Sequence, residues 1–455
     1  MAIEEQQRHD RVATPVEVES VGAAARDARQ NSLQIHLGDN TTITPVGSLD
    51  VTSVHRLPAI GNGVGTYFGG VSSTQSAYPS ALSTTARTSL FGMRADVKLN
   101  DASILGYLEM DFLGSVVSAV DGVHSAFTVG NSLHPRLYWV DVRKSRFEVL
   151  AGQSWSLLTP NRTGLSALPE DLYYSQLVDT NYQVGLVWSR TPQVRAIFHA
   201  AKSLAMGVSM ESPEQYLGGF GLTTFRPSIQ GATDSSTGAV TIRGGNPVPD
   251  FVGKIAWDPS TRRKHHHVEV AGLARSFKYP TYRAIGETHG FGLALNANLE
   301  IVRNLRFITN NFVSNGGGRF IGRLAPDFVL LPGGISPVRA DATTNGFEYR
   351  AGRSLFYGYW GGVYIGKDAY NDIRNGGMGY GYRGSIDHNR FIQEGSAGWT
   401  RTLWRDSRFG ALQFLAQYSL ASRQAWWITS DKSISPHAVT LFFDLRYVLP
   451  GQGVE

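Results

Sequence analysis

From about Thr42 to Pro450 the chain runs as stretches of roughly nine to fifteen residues in which apolar and polar side chains alternate, the period of a strand with two unlike faces. The segment AVTLFFDLRYVLP puts Val439, Leu441, Phe443, Leu445, Tyr447 and Leu449 on one face, and Thr440, Phe442, Asp444, Arg446 and Val448 on the other. ILGYLEMDF sorts Ile104, Leu108, Met110 and Phe112 from Leu105, Tyr107, Glu109 and Asp111. GFGLALNANLEIV, NYQVGLVWS (181 to 189) and RFGALQFLAQYSLASR sort in the same way. The segments near 84 to 98 and 354 to 366 alternate less cleanly, and periodicity leaves their facing open.

Connections between these stretches are of two kinds. Tight turns are expected at KLNDAS near residue 100, RKS at 143 to 145, RTPQ at 190 to 193, DPSTRRK at 258 to 264, VRN at 302 to 304 and RDSR at 405 to 408. Long segments rich in Gly, Ser, Pro and Asn span 56 to 83, 114 to 133, 155 to 180, 203 to 249, 279 to 288, 316 to 344, 369 to 388 and 424 to 436. The strands they enclose number sixteen, an even count that lets an up-and-down barrel close with both ends on one side. The pattern predicts an all-β fold, a 16-stranded antiparallel transmembrane β-barrel with long extracellular loops and short periplasmic turns. Trp188, Trp257, Trp399, Trp404, Trp426 and Trp427 fall near strand ends, where an interfacial aromatic girdle would lie.

Composition narrows the picture. The 455 residues contain no apolar run long enough for a membrane helix, while 51 glycines, 11% aromatics and only 17% charged residues suit extended chain. Cysteine is absent, which excludes disulfides and thiolate metal sites. The net charge is +5, yet Lys and Arg are dispersed, so a nucleic-acid partner is not expected. Residues 1–38 read as a flexible polar leader without the apolar core of a signal peptide, 39–450 as the barrel and 451–455 as a tail.

Other chemistry finds little support. In HHH at 265 to 267, adjacent strand residues point to opposite faces, so only His265 and His267 share a side. GGGR at 316 to 319 lacks the Lys and Ser/Thr of a phosphate loop, and no nucleophile elbow occurs. Neither a catalytic centre, a metal nor a cofactor is expected.

Four segments, GYLEMDFLG (106 to 114), LAGQSWSLLTPN (150 to 161), SNGGGRFI (314 to 321) and DLRYVLP (444 to 450), resemble the DcaP-like porins and related acidobacterial porins in order and spacing. The resemblance implies a sixteen-stranded diffusion channel in the outer membrane of a Gram-negative bacterium, usually a homotrimer. Some members favour small carboxylates and other anions. It also implies that the third long loop, 155 to 180 here, folds inward and narrows the lumen. One departure is GQGVE after Pro450, where many barrels end on an aromatic; Tyr447 is the nearest.

On this reading Arg162 is the constriction residue. The inward faces supply Glu109, Asp111, Arg146, Glu148, Arg195, His199, Lys254, His267, Glu269, Arg275, Asp444 and Arg446, with Arg87 a weaker candidate. A lumen of mixed sign with a modest basic excess would favour anions weakly. The expected partners are outer-membrane lipid and small hydrophilic, anionic solutes. The alternative is a β-rich surface protein whose loops bind a glycan or protein partner without forming a channel.

Overall fold

The computed structural model describes residues 33–58, 64–71, 80–114, 132–173, 176–218, 230–233, 240–242, 246–261, 264–280, 285–331, 334–372, 376–383, 388–428 and 435–450. Sixteen strands form one closed antiparallel barrel. In chain order they are Thr41–Leu57, a split second strand (Ala81–Thr85 and Leu90–Lys98), Ala102–Gly114, Ser132–Lys144, Phe147–Trp155, Arg190–Ala201, Leu204–Glu211 and Asp250–Trp257. Lys264–Pro280, Ile285–Val302, Leu305–Asn315, Arg339–Ala351, Ser354–Ile365, Asn389–Asp406, Gly410–Ala425 and His437–Val448 complete it. The last strand pairs with the first, from Ser48 opposite Val448 to Leu57 opposite Val439, so no edge is left to aggregate. The short strand Ile35–Leu37 pairs with Thr41–Ile43, so the last residues assigned to the leader already belong to the sheet. The tail and residues 1–32 lie outside the described residues.

The alternation sets the two faces. Phe91, Val208, Phe291, Leu295, Phe443 and Leu445 stand exposed on the outer surface, while the alternate residues Glu109, Asn296, Thr440 and Asp444 are buried inside. An exposed apolar row opposite a polar interior is the reverse of a soluble protein and is stable only against lipid. The chain is therefore a membrane-spanning barrel and not a soluble β-sandwich. In the thirteenth strand, whose facing periodicity left open, Tyr357 and Tyr359 point inward and Phe356 and Trp360 outward.

The strand count hides an exchange. NYQVGLVWS is not a strand: the backbone of Tyr182 (φ 58°) and Gly185 (φ 85°) is left-handed, and the segment lies inside the barrel as the second arm of the long loop. RTPQ is not a turn but the start of the sixth strand, where Pro192 pairs with Gln153. Proline is tolerated near a strand end. The turn falls at Lys202–Ser203, and Leu204–Glu211, placed by the pattern in a long loop, is the seventh strand. The strand lost and the strand gained cancel in the total. Above the barrel, Gln215–Gly218, Gln230–Thr233, Val240–Ile242, Phe328–Leu331 and Gly334–Pro337 form a separate five-stranded sheet from the fourth and sixth long loops.

Candidate functional site

The loop from Ser156 to Ser189 is longer than the 155 to 180 expected, and it enters the lumen. Its apolar side chains, Leu157, Leu158, Leu165, Val184 and Val187, pack on small inward residues of the wall such as Ala205, Ala256, Ala271 and Ala294. The loop thus carries a second hydrophobic core inside the barrel. At Gly361 the fit is backbone against backbone, because a Cβ there would run into the carbonyl oxygen of Val184.

A loop brought into low dielectric must find partners for its backbone N–H groups. Inward wall side chains supply them. Leu157 N donates to Glu211 at 2.9 Å, Asn161 N to Glu269 at 3.3 Å, Gly164 N to Asp258 at 3.1 Å, Val178 N to Gln417 at 2.7 Å and Val184 N to Glu394 at 3.0 Å. Lys254, ion-paired with Glu269 at 2.8 Å, donates to the carbonyl of Thr159 at 2.7 Å and to Asn161 Oδ1 at 2.9 Å. His267 bridges Asp258 and Glu269 at 2.9 and 3.0 Å. Arg195 donates to the carbonyls of Trp155 at 2.7 Å and Leu165 at 3.4 Å. On the loop itself, Asp179 accepts from the backbone of Asn181 at 2.8 Å and Thr66 at 3.2 Å. Burial pushes its carboxyl above the ordinary range against those hydrogen bonds and the charge of Arg56.

Several residues expected on the channel wall are therefore placed elsewhere. Arg195, Lys254 and Glu269 lie beneath the loop, fully buried. Arg275 is buried toward the extracellular end, paired with Asp250 at 3.0 Å and Asp327 at 2.6 Å. Arg146 sits in the turn after the fourth strand, exposed and off the lumen face. Glu148 and His199 face inward and contact each other at 2.8 Å. Arg87 donates to the carbonyls of Phe112 and Gly114 at a strand end.

Beside the loop remains an open cavity of about 370 Å³, bounded by the first five and the twelfth to sixteenth strands. Its lining includes Arg136, Arg162, Arg350, Arg353, Arg405 and Arg446 against Asp50, Glu109, Glu170 and Asp179. Arg162 reaches from the loop to Glu348 with two 2.9 Å hydrogen bonds, its guanidinium 5.0 Å above the Tyr173 ring. Tyr359 donates to the same carboxylate at 2.6 Å. Arg136 pairs with Glu109 at 2.9 Å and Asp111 at 2.8 Å; Arg446 pairs with Asp50 at 3.0 Å and Asp444 at 3.1 Å. Arg353 and Arg405, at the periplasmic lip, form no ion pair with any described residue; the amide of Thr402 donating to the Arg353 carbonyl at 2.9 Å ties their chain segments together.

Of the residues expected from the sequence, Glu109, Arg162 and Arg446 line this cavity, and Asp111 and Asp444 stand behind it as counter-charges. Arg136, Arg350, Arg353 and Arg405 were missed. Arg136 sits at a register shift, Glu109 facing Leu137 and Met110 facing Pro135, so a bulge turns it inward and breaks the parity. Arg350 was legible, since Gly346, Glu348 and Arg350 alternate with the outward Phe347 and Tyr349. The two lip arginines fall in or beside turns, where alternation carries no signal.

No protein-family model and no curated protein sequence matches the chain. Among solved structures the barrel is similar to the outer membrane channel DcaP of Acinetobacter baumannii, with a TM-score of 0.66 over 91% of this chain and 99% of that one, at 15% identity. The anion-selective porin from Comamonas acidovorans aligns over 90% of this chain and 100% of that one, with a TM-score of 0.51 and 9% identity. The fold is that of the outer-membrane porins: a sixteen-stranded barrel with a loop inside it.

Proposed function

We propose that the protein is a DcaP-like diffusion porin of the Gram-negative outer membrane, passing small hydrophilic solutes down their gradients with a weak preference for anions such as carboxylates. The observation that carries this reading is the cavity beside the inward loop. It leaves an open space along one side of the barrel, and two of the six arginines that line it, Arg353 and Arg405, form no ion pair with any described residue. Most of those charges neutralise one another in pairs. The positive charge left without an ion pair sits on the lip, where Arg353 and Arg405 offer guanidinium groups that a carboxylate can meet two-pronged. A low-dielectric wall focuses that positive potential into the path and lowers the entry barrier for anions relative to cations. The path works without a cofactor, an energy source or a covalent step, and solute size is limited by the loop.

A homotrimer is the assembly that the resemblance to DcaP-like porins supports, with lipid around the remaining surface. The test is a planar-bilayer recording under a KCl gradient: stepwise currents with a reversal potential on the chloride side support the reading. A reversal potential on the potassium side, or no current from inserted and folded protein, overturns it.

A further inference from the structure

Aromatic side chains bound the apolar belt on the outer surface of the thirteenth to fifteenth strands. Toward the periplasmic end Phe356 and Trp399 stack, 6.4 Å apart. Outward positions then alternate up the thirteenth strand through Trp360 to Tyr364, whose ring meets Trp426 edge to face at 6.4 Å. The strand from Phe356 to Tyr364 is about 27 Å long, or roughly 20 Å in height at a barrel strand's tilt, and so nearly spans an apolar band of about 25 Å. Tyr364 and Trp426 therefore mark the extracellular boundary between lipid and water.

This boundary carries two cations. The Arg390 guanidinium lies 5.1 Å from the centre of the Trp426 ring, and the Lys367 ammonium 5.1 Å from that of Trp427. The indole N–H of Trp426 donates to the carbonyl of Ile365 at 3.1 Å and that of Trp427 to the carbonyl of Gly381 at 2.7 Å, so both rings are pinned by their polar edges. The two pairs adjoin, because a Cβ on Gly381 would meet Trp426 Cδ1 at 2.9 Å and Lys367 Cγ at 3.2 Å. Arg390 stands at the register shift between Asn389 and Phe391, outside the strand's alternation. Neither cation forms an ion pair or a side-chain hydrogen bond with a described residue. Of the neighbouring acids, Asp341 pairs with Arg339 at 2.8 Å, and Asp368, next to Lys367, pairs with neither cation. In the other cation–aromatic pairs among the described residues the ring is buried: Phe442, Tyr173, Trp155, Phe277 and Phe320. Here Trp426 and Trp427 are half-exposed, and Arg390 and Lys367 exposed.

We propose that this patch binds a phosphorylated lipid headgroup of the outer leaflet, with the phosphate held by Arg390 and Lys367. A cation resting on an aromatic ring covers apolar surface with its stem and keeps its charge at the water boundary. Arginine brings a two-pronged donor and lysine a compact charge, and phosphate accepts both. One rung deeper on the same outer face, Gln393 donates to Ser422 at 3.2 Å, and beyond them Trp360 and Leu420 stand exposed to the lipid. Cations, then amide and hydroxyl, then apolar side chains is the order of groups in such a lipid: phosphate, then sugar or ester, then acyl chain. A free phosphate would use only the first of the three layers, which is why the lipid is the occupant. The inference requires only that the barrel lies in the outer membrane with its long loops outside; it stands whichever ions the channel prefers.

The test is native mass spectrometry of the intact barrel released from detergent, titrated with lipid A, an acylated glucosamine disaccharide bisphosphate. Arg390→Gln with Lys367→Gln should weaken its binding roughly thirtyfold, as expected from losing two cations at a lipid boundary. Arg323→Gln, which removes an exposed loop arginine paired with Glu214, should leave it unchanged. The same lipid stripped of its phosphates should bind the native barrel as weakly as intact lipid A binds the double variant, and equimolar inorganic phosphate should not displace lipid A. Folding is read separately from gel mobility before and after boiling. Should the double variant not fold, Arg390→Gln alone gives the same test at roughly fivefold. Equal binding of lipid A by native and variant barrels, equal binding of the phosphate-free lipid, or displacement by equimolar phosphate overturns the proposal.

Discussion

Under the loop, charged side chains are fully buried and spent on it: Glu211, Glu269 and Glu394 accept its backbone N–H groups, and Lys254 donates to the Thr159 carbonyl. On the other side the same residue types line an open cavity, partly paired and partly left to solvent at Arg353 and Arg405. The difference teaches that an inward-facing charge in a barrel does not by itself belong to the channel. What decides is whether the loop lies over it.

The comparison can be broken first at its most buried point. Glu269→Ala strips Lys254, His267 and the Asn161 amide of a common acceptor, and breaking a buried pair in this way costs about 3–5 kcal/mol. Denaturant unfolding in detergent micelles should show that loss, with noisier single-channel current as the loop loosens. Gly361→Val comes next: its side chain meets the Val184 carbonyl and pushes the loop toward the open side. Overpacking of this kind costs about 1–3 kcal/mol. Single-channel conductance should fall.

Arg353→Glu with Arg405→Glu should leave stability within about 0.5 kcal/mol, as surface substitutions do, while moving ion preference toward cations. The smallest effect is expected at Asp179. Burial raises its carboxyl above the ordinary range, so the folded state holds the proton more tightly than the unfolded one. Its presence therefore costs stability increasingly as pH rises from about 3.9, the ordinary aspartate value, through the raised folded value. Asp179→Asn should match the native chain at the acid end and equal or exceed it at neutral pH, read from thermal unfolding across that range.

Much of this was legible in the sequence, for a physical reason: lipid outside and polar groups inside impose a period of two that survives in AVTLFFDLRYVLP and GFGLALNANLEIV. The same period misled at NYQVGLVWS. Gln183, Val184, Leu186 and Val187 are all buried there, so no two-faced surface underlies the alternation, and the positive φ of Tyr182 and Gly185 marks the segment as loop. Sequence parity located Lys254 and Glu269 on the inner face, but no local pattern tells that a distant loop will cover them. Arg136 escaped through a bulge, and Arg353 and Arg405 through their turns.

The account's central claim is that ion preference comes from the open half alone. Its most direct test is the reversal potential of single channels under a KCl gradient, measured for the native chain and for Arg353→Glu with Arg405→Glu. The account predicts a chloride-side potential for the native channel and a clear shift toward potassium in the variant, with current still passing. An unshifted potential in a variant that conducts normally would contradict it.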